Sequence, residues 1–504
     1  MTETATSDAP EAAAAASGPR EHLDVLVVGA GLSGIDAAHH LATACPWADF
    51  AVFEGRERIG GTWDLFRYPG IRSDSDMLTC SFPWRPWPLD RTIGRGEEIR
   101  QYIEDTAIED GTFDRIRFRH RVVRAEWSSD DATWTVTAER IGDDGETAES
   151  FELTAGFIIS CTGYYRYDRG YLPDWEGIED YQGELIHPQA WPEDADLSGK
   201  RVVVVGSGAT AVTLVPELAK MASQVTMLQR SPTYMVSLPT TNLPTKILSG
   251  VLPRSVRGGV LRWQYVMATL GMYRLSRAAP GAVKWVLRKQ LESRLPAGFD
   301  IDKHFTPDYD PWDQRLCVVT DGDLFKAIRN GSVDVVTDHI ERFTADGLQL
   351  RSGEVIEADV VVTATGLDIQ IGGGNELFVD GEKVDVAKRL TYKGSMIEGV
   401  PNLAMVIGYA NASWTLKSDL TCGFVAKILN HMHRSGARSV AAVNRGGEVA
   451  DGNLMGLTSG YIARADDRLP RQGRSYPWRN QQDYIMDRWA LQRSDVVDDH
   501  LQYR

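Results

Sequence analysis

Two glycine clusters in this 504-residue chain stand where a phosphate could be held, and each is followed by a residue that could read a ribose. In "LDVLVVGAGLSGIDAAHHLATACPWADFAVFEG" an apolar strand runs into Gly29-x-Gly31-x-x-Gly34, with Ser33 inside the turn, and a second strand ends in Glu54. Glycines let the backbone approach a pyrophosphate at a helix N-terminus, and a carboxylate at the next strand end accepts hydrogen bonds from a ribose diol. In "KRVVVVGSGATAVTLVPELAKMASQVTMLQRS" the turn recurs as Gly206, Ser207, Gly208, Ala209, Thr210 and Ala211, but the second strand ends in Gln229, Arg230 and Ser231. A carboxylate there would repel a 2′-phosphate, whereas a guanidinium grips one in bidentate fashion. The first site therefore expects FAD or NAD and the second NADPH. A solvated strand-end charge is the alternative for Arg230, and Ser231 beside it, a second donor, favours the phosphate.

A third stretch, "YQGELIHPQAWP", places Gly183, His187 and Trp191 four residues apart just before the second cluster. Pro188 and Pro192 argue against a regular helix, so the stretch is expected to be loop.

The elements that must position these residues follow a pattern. "GFIISCTGYY" and "ADVVVTATGLD" read as short buried strands closed by Thr162-Gly163 and Thr365-Gly366, which suits a chain crossing between nested domains. "PNLAMVIGYA" leads into an amphipathic helix for which Ser413 or Thr415 could be the N-cap. The expected fold is α/β: two nested Rossmann-like dinucleotide-binding domains with an inserted helical subdomain. The FAD domain takes residues 21–165 and 367–504, the NADPH domain 166–235 and 313–366, and the insertion 236–312, after a disordered tail over 1–20.

Hydrophobic content of 43% and charged content of 25% are those of a globular protein, and a net charge of −16 argues against nucleic acid as a partner. Residues 1–20 are Ala-rich and acidic, unlike an export signal, so a cytoplasmic protein is expected. Cys45, Cys80, Cys161, Cys317 and Cys422 are scattered, with no redox pair and no zinc-ligand spacing, so neither disulfides nor a metal site is expected. Lys246 to Arg294 carries ten basic residues and one acid, Glu292, interleaved with Trp263, Tyr265, Met267, Met272, Tyr273 and Trp285. Arginines interrupt every apolar run there before the roughly 18 residues that a membrane span needs. A helical subdomain packed on the core is favoured over cationic helices docked on a membrane surface.

"YQGELIHPQAWP" resembles the fingerprint of Baeyer-Villiger monooxygenases, aromatic-x-Gly-x-x-x-His-x-x-x-Trp followed by Pro or Asp, with Tyr181 in place of the usual Phe. A second pattern of that family is matched by Gly61, Trp63, Tyr68, Pro69, Gly70 and Asp74 in "GTWDLFRYPGIRSD". The likeness runs from about residue 21 to the C-terminus and looks closest to the ethionamide-activating subgroup, through "PWDQRLCVVTDGDLF" and "NASWTLK".

The resemblance implies FAD and NADPH as cofactors, with Gly61, Thr62, Trp63, Asp74 and Val123 joining the FAD site. It implies that NADPH reduces FAD, that dioxygen adds, and that a flavin C4a-peroxide attacks a ketone to give an ester or lactone, with sulfoxidation as a second activity. It makes Arg315 the cation of the oxygenation step and Asp74 the carboxylate that holds it. Gly183, His187 and Trp191 become the segment coupling the two domains rather than bond-making groups. Where ketone monooxygenases of the family commonly carry Lys before the arginine, Gln314 leaves Arg230 more of the phosphate to bind. A monooxygenase oxidising S or N centres without ketone activity is the alternative. A disulfide reductase of the same fold lacks its dithiol here, and a non-catalytic nucleotide-binding regulator would not need Arg230, Arg315 and Asp74 together. The oligomeric state is left open.

Overall fold

The computed structural model describes residues 20–241, 245–246, 250–251, 253–456, 459–493 and 495–504. Nearly all of the expected N-terminal tail, and parts of the cationic segment, lie outside them.

Two sheets carry the molecule. In the first, strand His22–Val28 pairs in parallel with Phe50–Glu54 on one side and with Thr147–Ser160 on the other. Thr147–Ser160 has two jobs along its length. Its first half pairs antiparallel with Thr133–Ile141, and its last residues pair in parallel with Leu403–Met405. The short buried strand expected before Thr162-Gly163 is thus the end of a 14-residue strand whose first residues are exposed. The helix Leu32–Ala44 follows the first glycine turn and packs against the long helix Trp414–Ser435.

The second sheet is wholly parallel, in the order Val333–Thr337, Gln224–Gln229, Arg201–Val205, Val360–Thr363, Glu184–Ile186. Its core strands read as unbroken valine runs because helices or other layers cover both faces. Glu184–Ile186 comes from the "YQGELIHPQAWP" stretch, which is therefore not simply loop. It is an edge strand followed by a 3₁₀ turn over Pro188–Ala190. Gly183 opens it because a Cβ there would stand 2.7 Å from the Asp359 carbonyl and against the Tyr181 ring, whose hydroxyl donates to the Ala358 carbonyl at 3.0 Å.

The insertion consists chiefly of helices Arg254–Ala278 and Pro280–Arg294. Its ends are stitched by a parallel pair of strands, Met235–Leu238 with Cys317–Thr320. Arg262 is buried and donates to the carbonyls of Leu78, Thr79 and Ser81, closing the C-terminal end of helix Met77–Cys80. Buried Leu261, Val266 and Leu270 form its packed side, while Trp285, Met267 and Trp263 are exposed. Among the described residues, no helix is long and apolar enough to cross a membrane.

Candidate active site

A cavity of about 990 Å³ lies between the two sheets and takes its walls from both glycine turns. On the first side Gly29, Gly31, Ser33, Glu54, Gly61, Thr62, Trp63 and Asp74 line it, and on the second Gly206, Ser207, Gly208, Ala209, Thr210, Arg230 and Ser231 do so, with Gln314 and Arg315. Gly34 and Ala211 lie behind the wall, in helices that follow the turns.

Both turns end at helices with no side-chain cap. Leu32–Ala44 has Gly31 at its N-cap position and Ala209–Leu218 has Gly208, so backbone N–H groups are offered toward the cavity without a competing hydroxyl or carboxylate. A Cβ on Gly206 would stand 2.3 Å from the Ala364 carbonyl, whereas one on Gly208 would meet nothing within 4 Å. The first glycine closes the turn on the neighbouring crossing; the second leaves the turn open to a ligand. Both features fit a pyrophosphate at the second turn, and the uncapped helix fits one at the first.

Glu54 is buried at the end of its strand. Its oxygens accept from the N–H groups of Ala30 at 2.8 Å and Arg56 at 2.9 Å. Burial raises its pKa, and those two donors work against the rise. Each carboxylate oxygen keeps a second lone pair for a ribose hydroxyl. Val123 does not reach the cavity. It is skipped in the pairing between His120–Ser128 and Thr133–Ile141, where the register shifts, and its neighbour Val122 supplies the lining side chain.

Arg315 and Asp74 meet. Their Nη1 and Oδ2 are 3.2 Å apart, with side chains 37% and 39% exposed to the cavity side and solvent. Asp74 is the main cause holding the arginine's pKa well above its ordinary value, so the guanidinium stays charged. Nearby Tyr164 stacks on Trp414, whose Nε1 donates to Ser33 Oγ at 2.7 Å, and this ties the Trp414–Ser435 helix to the first turn. Ser413 holds the N-cap position of that helix, but its hydroxyl is engaged with Thr79 Oγ1 at 2.6 Å rather than with the helix backbone. Lys417, one turn further on, is buried against Asp487 at 2.9 Å and does not line the cavity.

The "YQGELIHPQAWP" residues stand outside the cavity, at the crossings between the sheets. His187 Nδ1 accepts from the Gln189 N–H at 3.2 Å, and burial lowers its pKa, offset in part by the Gly366 backbone. A Cβ on Gly170 would fall inside the His187 ring, 1.8 Å from Cε1. His187 thus packs between the crossing that follows Thr147–Ser160 and the one that follows Val360–Thr363. Trp191 packs on the hydrophobic core of the second sheet, which also takes in Leu65, Phe66 and Tyr68 from the first unit. Glu193, two residues on, pairs with Arg67 at 2.6 Å.

Four lining arginines escaped the sequence reading; Arg56, Arg72 and Arg121 pair with Asp64, Asp323 and Glu139, which leaves Arg464. Arg464 lies with its guanidinium 3.5 Å from the Tyr171 ring centroid, and it also reaches to 3.7 Å from the Cβ position of Gly366. It lines the cavity together with Arg230, and burial first, with the Arg230 charge as a lesser cause, lowers the pKa of Arg464. Among the described residues neither guanidinium has a carboxylate oxygen within 4.0 Å. Two unneutralised arginines facing one space form a site for an anion. No local motif marks Arg464, because it arrives from the C-terminal segment.

Comparison with known proteins places this architecture. The profile of the flavin-binding monooxygenase-like family matches residues 22–393. The FAD-containing monooxygenase EthA of Mycobacterium tuberculosis is 47% identical over 484 residues, 96% of this chain and 98% of the relative. The probable FAD-binding monooxygenase AlmA of Acinetobacter baylyi is 45% identical over 485 residues, 96% of each chain. Among solved structures, an open form of cyclohexanone monooxygenase superposes with a TM-score of 0.74 at 20% identity, over 96% of this chain and all of that one. An oxidized steroid monooxygenase bound to NADP gives 0.70 at 23% identity, over 84% of this chain and 88% of that one.

Proposed function

Because this chain belongs to the flavin-binding monooxygenase-like family, we propose that it is an NADPH- and dioxygen-dependent flavoprotein monooxygenase that converts ketones to esters or lactones, and that it also oxidises sulfides. FAD occupies the first glycine turn, with Glu54 on its ribose. NADPH occupies the second, with Arg230 and Ser231 on its 2′-phosphate and Arg464 as a further cation on the same group. The observation that carries the reading is the single cavity shared by both turns and by the Arg315–Asp74 pair.

The flavin, once reduced by NADPH, supplies the oxygen chemistry. What the chain supplies is position and charge. Arg315, held by Asp74, presents a fixed positive charge and N–H donors where negative charge develops on oxygen and on the attacked carbonyl. Such a preorganised cation in a water-poor site is worth about 3 to 4 kcal/mol of barrier. Asp74 acts through the arginine as a positioning residue. His187, clamped between Gly170 and Gly366, and Trp191, on the second core, link the motion of the two nucleotide domains.

Oxidation of S or N centres without ketone activity is the second reading, because the likeness to a solved ketone monooxygenase is one of fold, at 20% identity. Incubation with NADPH, dioxygen and a panel of linear, cyclic and aryl ketones and sulfides, followed by mass spectrometry, separates the two. Ester or lactone supports the first; sulfoxide with every ketone unchanged supports the second. For the insertion, exposed Trp285 and Met267 among basic residues favour peripheral contact with an anionic lipid surface, read by flotation with anionic vesicles at low salt.

A further inference from the structure

Away from the nucleotide cavity, three donors of the kind that bind metals converge between two helices. Asp36 and His40 lie one turn apart on Leu32–Ala44, and Asp419 faces them from Trp414–Ser435. The ligand atoms all lie within 4.8 Å of one another. His40 Nε2 is 3.1 Å from Asp419 Oδ1 and 3.8 Å from Asp36 Oδ1. Asp36 is 0% exposed, and neither of its carboxylate oxygens has a hydrogen-bond partner.

A proton does not satisfy this arrangement. One ring nitrogen carries one proton, which serves the nearer Asp419 and leaves the Asp36 oxygens bare. A buried carboxylate without donors is costly, and a divalent cation meets all three donors at once. The two spacings from His40, 3.1 and 3.8 Å, suit it, because ligands about 2.0 to 2.2 Å from a common centre stand roughly 3 to 4 Å apart.

We propose that Asp36, His40 and Asp419 bind one divalent transition-metal ion of the zinc class, which ties the two helices together one turn behind the N-termini that face the nucleotide cavity. An imidazole with two carboxylates matches zinc better than magnesium or calcium, which favour all-oxygen sets. His40 and Asp419 are 22% and 16% exposed, so one side of the site is open to solvent for entry and for a fourth, water ligand.

The test uses the full flavin-loaded protein, stripped with EDTA, then exposed to Zn²⁺ and gel-filtered before metal analysis. Wild type is expected to retain one zinc ion per chain and to melt at a higher temperature with zinc than without. Asp36→Asn and His40→Gln are expected to weaken zinc binding by about tenfold or more and to lose that thermal shift. The flavin spectrum reports folding, and if Asp36→Asn does not fold, His40→Gln decides alone. Retention of zinc by the variants equal to wild type, or no zinc on wild type, overturns the proposal.

Discussion

At the scale of single residues, the strongest claims concern three arginines together with Asp74, Gly170 and His187. Arg315→Ala should keep FAD bound yet lower product formation by about 100-fold or more, with NADPH consumption ending in hydrogen peroxide. Stopped-flow absorbance with product analysis reads both steps, and product at the parent rate would remove the residue from the role. Asp74→Ala should move the same ratio of product to NADPH in the same direction, by less. Arg230→Ala and Arg464→Ala should each raise KM for NADPH by roughly 10-fold or more while barely changing KM for NADH, as expected for a lost charge-assisted hydrogen bond. An equal loss with both nucleotides would make either arginine structural. Gly170→Ala places a methyl in the His187 ring. It should slow turnover as His187→Ala does while sparing FAD binding, and unchanged turnover in both would separate His187 from domain coupling. Glu54 and Arg230 were legible in the sequence because each ends a strand at a fixed distance from its glycines. Arg464 was not, since only the fold brings its segment to the cavity. Val123 missed by one position because the strand shifts register there, and no local signal announces a bulge.

Elements add what the motifs leave out. Between the glycine turn and the Tyr68-Pro69-Gly70 corner, Asp64 is 0% exposed and is gripped by Arg56 and Arg58 at 2.8 Å, with Arg67 at 3.6 Å. It fixes the Thr62–Leu65 turn against which Tyr165 hydrogen-bonds Thr62. Asp64→Ala should cost about 1 kcal/mol, because three partly solvated guanidiniums lose their shared partner, and should show as a lower melting temperature with FAD released more readily. A melting curve that matches wild type would contradict this. The His187 segment carries a pH signature as well. Its imidazole has a pKa below the ordinary 6.5 because it is buried, so the unfolded chain binds that proton first as pH falls. The contribution is fully present above 6.5 and is lost on acidification. Wild type should therefore lose more melting temperature between pH 7 and pH 5 than His187→Gln does; parallel losses would refute it. Reading the segment as loop from its prolines overlooked the edge strand, because three residues are too few to show a period and the strand exists only through pairing with Val360–Val362.

Across the whole molecule, the nested sheets were legible because the strand, glycine turn, helix and second strand occur twice in order. The walls of the cavity were not, since they are assembled from segments as distant as Gly31, Arg315 and Arg464. The same holds for the Asp36, His40 and Asp419 cluster, whose third ligand lies 379 residues from His40 in sequence. Against the net charge of −16, five basic residues of the insertion, Arg274, Arg277, Lys284, Arg288 and Lys289, pair with carboxylates. In the function proposed above, the molecule as a unit couples a nucleotide on one sheet to oxygen chemistry on the other through one shared cavity. The most direct measurement of that is isotopic: wild-type protein, NADPH, ¹⁸O₂ and a ketone it accepts, with ester formed and NADPH consumed counted in the same vessel. The account predicts ester carrying one ¹⁸O atom, formed close to mole for mole with NADPH. Unlabelled ester, or NADPH oxidised with every ketone unchanged, would contradict it.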